Sequence, residues 1–306
     1  MTPSALLTTF VNNLLPILLI GGAGFLLGKA LAIEARALGR VVFYLFGPLL
    51  VFNLLIKSQL DLGEALETMG FATFVMFSLG LLAFLLGKVF ELTRPQLLVM
   101  VLAASFGNNG NYGLPLVSFA FGEEALAHAT IYFVMMAIFV NTVGVLVSSL
   151  GHMDVKTALL GLFKLPMIYG VLLAAILNLL NFELPVALAR TIDLAADATI
   201  PLMLVMLGLE LTRIQWSHNW RALGLGVFIR LIAGPVIALL LTILLGVPGP
   251  ARQSNVVQSG MPTAVTVMVL AGEYRLEPEL VTAIIFLSTI LSPFTLTPLL
   301  VYLGGT

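Results

Sequence analysis

As a string of apolar and polar positions, the chain is a row of long apolar stretches separated by short polar breaks. A helix that crosses a bilayer needs about 20 mostly apolar residues. Ten stretches qualify: 10–30, 36–56, 68–88, 95–122, 124–150, 158–180, 186–210, 219–245, 250–272 and 279–304. Each is far longer than a membrane-spanning strand requires, so helices are predicted throughout. The connections are short, and no soluble domain is expected between them. Two stretches break the pattern. The fourth carries "SFGNNGNYGLPL" from Ser105, and the ninth carries "NVVQSGMPTAV" from Asn255. Amides, glycines and a proline interrupt segments that are otherwise apolar.

Those two interruptions belong to a repeat, which is sought before any motif. "LPILLIGG" at Leu15 has a counterpart in "LPMIYGVL" at Leu165, and "GPLLVFNLL" at Gly47 in "IPLMLVMLGLEL" at Ile200. "NNGNYGLPL" at Asn108 pairs with "NVVQSGMPTAV" at Asn255. In that pair Asn108 and Asn255 each stand seven residues before a proline, Gly113 and Gly260 two before it, and the prolines are Pro115 and Pro262. The division predicted is 1–152 and 153–306, five helices in each half. Five is odd, so the second half enters the membrane from the opposite face. Such an inverted repeat is an architecture of secondary transporters, and their discontinuous helices carry the substrate site near the midplane.

The reason for a break is physical. Proline removes a backbone donor and clashes with the preceding turn, while glycine permits the angles a gap requires. The freed carbonyl and N–H groups are tolerated at membrane depth only where protein or a wet cavity surrounds them. Pro115 and Pro262 are expected in the first turn of the second half-helices, whose N-termini carry partial positive charge suited to an anion. The unwound carbonyls, with Asn side chains, are expected to face a cation or a proton-bearing group.

Composition supports lipid as the solvent. The chain has 306 residues, 60% hydrophobic and 9% charged, with mean hydropathy +1.10, against roughly 25% charged in soluble domains. There is no cysteine and the three histidines are scattered, so no metal cluster is indicated. A net charge of −1 gives no sign of nucleic acid. "MTPSALLTTF" lacks a positive n-region, and the first apolar stretch is expected to be retained as a helix. Orientation follows from the basic residues. One set of loops carries Lys29, Arg36, Arg40, Lys88, Arg94, Lys156, Arg213, Arg221 and Arg275. The opposite set carries Lys57 and Arg252, with Arg190 near that end of the seventh stretch. The first set is expected in the cytoplasm, with both termini outside.

At "GNNGNYGLPL", "TIPLMLVMLGLEL" and "QSGMPTAVTV" the chain resembles the auxin efflux carrier family, which holds plant auxin exporters and bacterial malonate-type carriers. The resemblance covers essentially the whole chain. It implies ten helices in two inverted repeats, with crossing broken helices in the fourth and ninth segments, a fold similar to bile acid sodium symporters and sodium/proton antiporters. Helices 1, 2, 6 and 7 would form a scaffold, and 3, 4, 5, 8, 9 and 10 a transport core. The implied activity is carriage of a small organic anion, a mono- or dicarboxylate, by elevator-like or rocking alternating access, with H+ or Na+ as the coupling ion and no other cofactor. By motif position Asn108 and Pro115 match one crossover, and Gln258, Ser259 and Pro262 the other. Asn109, Asn111, Tyr112, Gly113 and Asn255 complete the candidate substrate site. Asn111 departs from the family pattern, where an apolar or aromatic residue is more usual. The long cytoplasmic loop of the plant exporters is absent, which favours a prokaryotic carrier in a bacterial plasma membrane. The partners implied are the anion and the bilayer, and a homodimer is left open.

Ionisable residues inside the membrane are functional candidates by default. Arg230 lies mid-depth in the eighth stretch, either in a structural ion pair or as counter-ion to substrate or to a coupling carboxylate. Asp193 and Asp197 share a face of the seventh stretch. Arg190 is expected to pair with Asp193. Asp197, if desolvated, suits a proton carrier, and otherwise it is a solvated carboxylate at the outer mouth. Asn141 and Ser288 stand at the same spacing as Asn108 and Asn255, either as ion ligands or as ties between neighbouring helices. A channel would show a continuous polar stripe, which is absent. No catalytic constellation of a membrane enzyme is present. A receptor using the same site remains the rival class.

Overall fold

The computed structural model describes residues 2–58, 60–149, 160–213, 216–217 and 219–305. Lys156, used above for orientation, lies outside the described residues, as do residue 150 and residues 158–159 at the edges of two predicted stretches and the side chain of Arg213. All the named elements are helical, and the β-pairing among the described residues is one isolated bridge, Gly107 to Thr263. Seven helices are long and apolar enough to cross a membrane. They are α1 Pro3–Leu31, α2 Ala35–Lys57, α3 Leu62–Val89, α5 Asn109–Ser148, α7 Val186–Glu210, α8 Trp220–Leu245 and α11 Pro278–Tyr302. Four shorter helices complete the set: α4 Arg94–Ser105, α6 Pro166–Leu179, α9 Gly249–Ser259 and α10 Thr266–Glu273.

Ten stretches were expected, the fourth and ninth of them broken, and the breaks in the structure have local causes. The fourth ends as a helix at Ser105 and resumes at Asn109, and the ninth ends at Ser259 and resumes at Thr266. The resumed fourth runs on into the fifth as one element, α5, broken only at Gly122, where φ is 77° and ψ −163°. Only glycine adopts that geometry at little cost. Five further places form wide π-turns; the one at Val140–Gly144 has no proline after it. The other four, at Phe10–Leu14, Val42–Phe46, Asn109–Gly113 and Ile229–Ala233, each precede a proline by two residues: Pro16, Pro48, Pro115 and Pro235. Proline lacks the N–H for its own turn and crowds the carbonyl four residues back. Widening one turn absorbs that crowding.

Packing follows residue size. α7 lies along α1 and α2, and α6 packs on α2. A Cβ on Gly208 of α7 would stand 1.8 Å from the backbone oxygen of Gly21 in α1, and one on Gly24 would stand 2.3 Å from Val205 O. Small residues let these backbones touch, the usual way helices associate where lipid removes the hydrophobic drive. Elsewhere α3 packs on α4 and α5, and α9 on α5 and α8. The α4–α5 and α9–α10 breaks meet in the middle of this second group.

Candidate functional site

The meeting of the two breaks answers where their backbone groups go. Phe106–Asn108 and Pro262–Ala264 run antiparallel. Asn108 N donates to Pro262 O (2.7 Å), and Ala264 N to Phe106 O (2.9 Å). Thr263 Oγ1 donates to Ala103 O (3.0 Å), and Thr263 N to Ser288 Oγ (3.2 Å). Pro262 therefore sits in the extended stretch, four residues ahead of α10, and not in that helix's first turn as expected. The extended backbone needs its carbonyl as the acceptor for Asn108. Pro115 does fall in the first turn after its π-turn.

Arg230 occupies the other side of the crossing, 1% exposed. Its Nε donates to Met261 O (2.6 Å), Nη1 to Ala104 O (2.9 Å) and Nη2 to Gln258 O (3.4 Å). No carboxylate pairs with it among the described residues. Of the two readings left open above, the structural ion pair is therefore not formed among the described residues. Of the unwound carbonyls, expected to face a cation or a proton-bearing group, four are taken by a guanidinium and a threonine.

Asn109 and Gln258 lock the two breaks together. Asn109 Nδ2 donates to Gln258 Oε1 and Gln258 O, both 2.7 Å, and Gln258 Nε2 donates to Asn109 O (3.2 Å) and Ala129 O (3.3 Å). The fit leaves no space, since a Cβ on Gly113 would stand 2.2 Å from Gln258 Oε1. Tyr112 and Ser259 face away from any cavity. Tyr112 OH accepts from Ser292 Oγ (3.1 Å), and Ser259 Oγ lies 3.1 Å from Tyr132 OH and donates to Asn255 O (2.7 Å). Asn255 is buried with its Oδ1 unpartnered.

Two cavities lie toward opposite ends of α2 and α7, and the first borders the crossing. The first, about 470 Å³, is walled by residues 36–47 of α2, 133–141 of α5 and 203–210 of α7, and by both breaks. It takes in Asn108, Asn109 and Asn111 at the start of α5, and Ala264–Thr266 at the start of α10. Asn141 lines it too, its Nδ2 tied to Ala137 O (2.8 Å). Asn111 Nδ2 reaches Glu210 Oε2 at 3.4 Å. Arg36 and Arg40 stand on its wall; sequence reasoning used them for orientation only. Asn108 borders this cavity with its Nδ2 buried and unpartnered. The second cavity, about 870 Å³, touches residues 50–58 of α2, 196–204 of α7 and 123–128 of α5. Asp197 is exposed on its wall beside Lys57, Glu64, Glu123, Glu124 and His128. His128 Nδ1 lies 3.0 Å from Thr68 Oγ1, a buried polar pair that the sequence did not signal. Asp193 pairs with Lys57 of α2 and not with Arg190. Tyr112, Gly113, Pro115, Asn255, Gln258, Ser259, Pro262, Asp193, Arg230 and Ser288 line neither cavity.

The family described as Membrane transport protein matches residues 9–157 and 152–300. The chain belongs to this family of membrane transporters, that of the auxin efflux carriers. An uncharacterized transporter of Methanocaldococcus jannaschii is 29% identical over 282 residues, 85% of this chain and 86% of its own. A Rhizobium meliloti protein provisionally named a malonate transporter is 27% identical over 292 residues, 90% of each chain. Auxin efflux carrier component 1 of Arabidopsis thaliana is 30% identical over 120 residues, 38% of this chain and 19% of that protein. The chain is thus a multi-pass integral membrane transporter and not an enzyme.

Proposed function

We propose that this transporter carries a small organic anion of the mono- or dicarboxylate class by alternating access, and that the first cavity is its substrate site. The observation that carries this reading is the cavity's wall. Two helix beginnings, at Asn109–Asn111 and Ala264–Thr266, border one space with Asn108 and two arginines. Helix N-termini offer partial positive charge and free N–H groups, and amides offer donors to a carboxylate. A cavity toward each end of α2 and α7, one of them bordered by the crossing, suits alternating exposure of one site. We read the fold as ten spans in two inverted halves, with α1, α2, α6 and α7 as the scaffold against which the crossing moves. We also read the Arg36–Arg40 end as cytoplasmic, so that the structure is open inward and both termini lie outside, in a bacterial plasma membrane.

Counterflow tests the activity. Proteoliposomes loaded with unlabelled malonate should accumulate external radiolabelled malonate transiently, and a panel of other mono- and dicarboxylates should compete. A protein that binds such acids in thermal melts but gives no counterflow with any of them is a receptor and not a carrier. Orientation has its own check in this cysteine-free chain. Single cysteines at Glu34 and Glu183, both exposed, should be labelled from the cytoplasm and from outside respectively. The reverse pattern would turn the molecule over.

A further inference from the structure

The guanidinium of Arg230 has no carboxylate partner, yet it lies in the part of the crossing richest in oxygen. Its three acceptors are carbonyls at or just past the C-terminal ends of α4 and α9: Ala104 O, Gln258 O and Met261 O. A helix C-terminus carries about half a negative charge. Two of them meeting here offset one fixed positive charge, which is how an arginine is kept at this depth without an acid. Hydrogen bonds from a charged donor to such carbonyls are the strong kind. The backbone is shaped around the group as well, since a Cβ on Gly107 would stand 2.0 Å from Nη2.

Carbonyl oxygens converging from two broken helices are also what a small hard cation takes as ligands. The fold's resemblance to sodium-coupled carriers makes sodium the ion to test against these residues. They do not fit it. The convergent oxygens are already bonded, and a free cation within about 4 Å of the guanidinium would be repelled. We infer that Arg230 is a built-in cation, holding the place at the helix crossing that a coupling sodium ion would otherwise fill, so that the crossing is assembled without sodium. The charge that balances the two helix ends is covalently part of α8 and travels with it. The partial positive ends of α5 and α10 are left to the first cavity.

Thermal melting of the solubilised protein tests this without any substrate, so a wrong assignment of the anion would leave the result standing. At fixed ionic strength the wild type should melt within about 1 °C in sodium, potassium and N-methylglucamine chloride. A saturable, sodium-specific rise of several degrees, as mass action gives for a bound ion, would overturn the inference. Arg230→Ala removes a buried charged donor from three carbonyls and should melt roughly 10 °C lower. Millimolar guanidinium, or sodium over potassium, should restore several degrees to it and nothing to the wild type. Arg230→Met, which fills the space without charge, should melt low and recover less. A folded Arg230→Ala that gains from neither ion would show that the group is only a packing element. Should neither variant fold, the wild-type sodium comparison decides alone.

Discussion

Gly107→Ala should lose the transport activity and melt roughly 10 °C below the wild type, the largest effect expected of any one-carbon change near the site. The added Cβ would lie 2.0 Å from Nη2 and 2.8 Å from Cζ of Arg230, and 3.1 Å from Asn109 Oδ1. Arg230 cannot step aside freely, because its three bonds run to carbonyls of two different helix ends. Either the guanidinium leaves them or the Gly107–Thr263 bridge opens. A hydrogen bond to a charged group contributes about 1.5–3 kcal/mol. Losing one or two of them, with overpacking added, gives a cost of about 3–5 kcal/mol. Gly22→Ala is the control: nothing lies within 4 Å of a Cβ there, and alanine suits a helix interior better than glycine. Melts of both variants in one detergent, with counterflow on the same preparations, check the claim. If Gly107→Ala melts within about 2 °C of wild type and transports, the guanidinium has slack and the crossing is not built tightly around it.

That cost could not be read from the chain, although much around it could. Segment length and apolarity placed α2, α7 and α11 to within a few residues, because the need to span lipid is written into every residue of a long helix. The breaks at Ser105 and Ser259 were legible for the same kind of reason: glycine, proline and amides act on the backbone next to them. What depended on distant partners was not. Arg230 looked like half of an ion pair because carboxylates are the visible partners of arginine in a sequence. Backbone carbonyls are the same at every residue and give no signal. Arg190 and Asp193 had a spacing that suits a pair on one helix, yet Asp193 reaches across to Lys57. Pro262 matched Pro115 in register but not in role, since Pro115 follows the π-turn that opens α5, whereas Pro262 lies within the extended stretch ahead of α10. Gln258 looked like a substrate ligand. Its amide is instead consumed by Asn109 and Ala129, so truncating it should loosen the crossing before it weakens any ligand.

Asn108 is the amide at the crossing for which a substrate role is hardest to replace by a structural one. It is 6% exposed and borders the first cavity, and its Nδ2 has no partner. An unpartnered buried donor is costly to keep. The neighbouring Asn109, of the same chemistry, has its Nδ2 engaged by Gln258, although its Oδ1 is unpartnered. A small rotation of the Asn108 side chain toward the cavity would give Nδ2 to a carboxylate oxygen beside the N–H groups that begin α5. Losing one hydrogen bond to a charged group costs about 1.5–3 kcal/mol, or roughly ten- to a hundred-fold in affinity. Asn108→Ala should therefore weaken binding of the transported anion by that factor. Its melting temperature without ligand should stay within about 2 °C of the wild type, because Nδ2 gives up no bond on truncation. Asn178→Ala is the comparison. It loses a bond to Leu55 O (3.1 Å) and lines neither cavity, so it should give up a little stability and no affinity. Ligand-dependent melts of the two variants separate the cases. An Asn108→Ala protein that binds and transports as the wild type does would make the crossing a structural device, with the anion held elsewhere in the cavity.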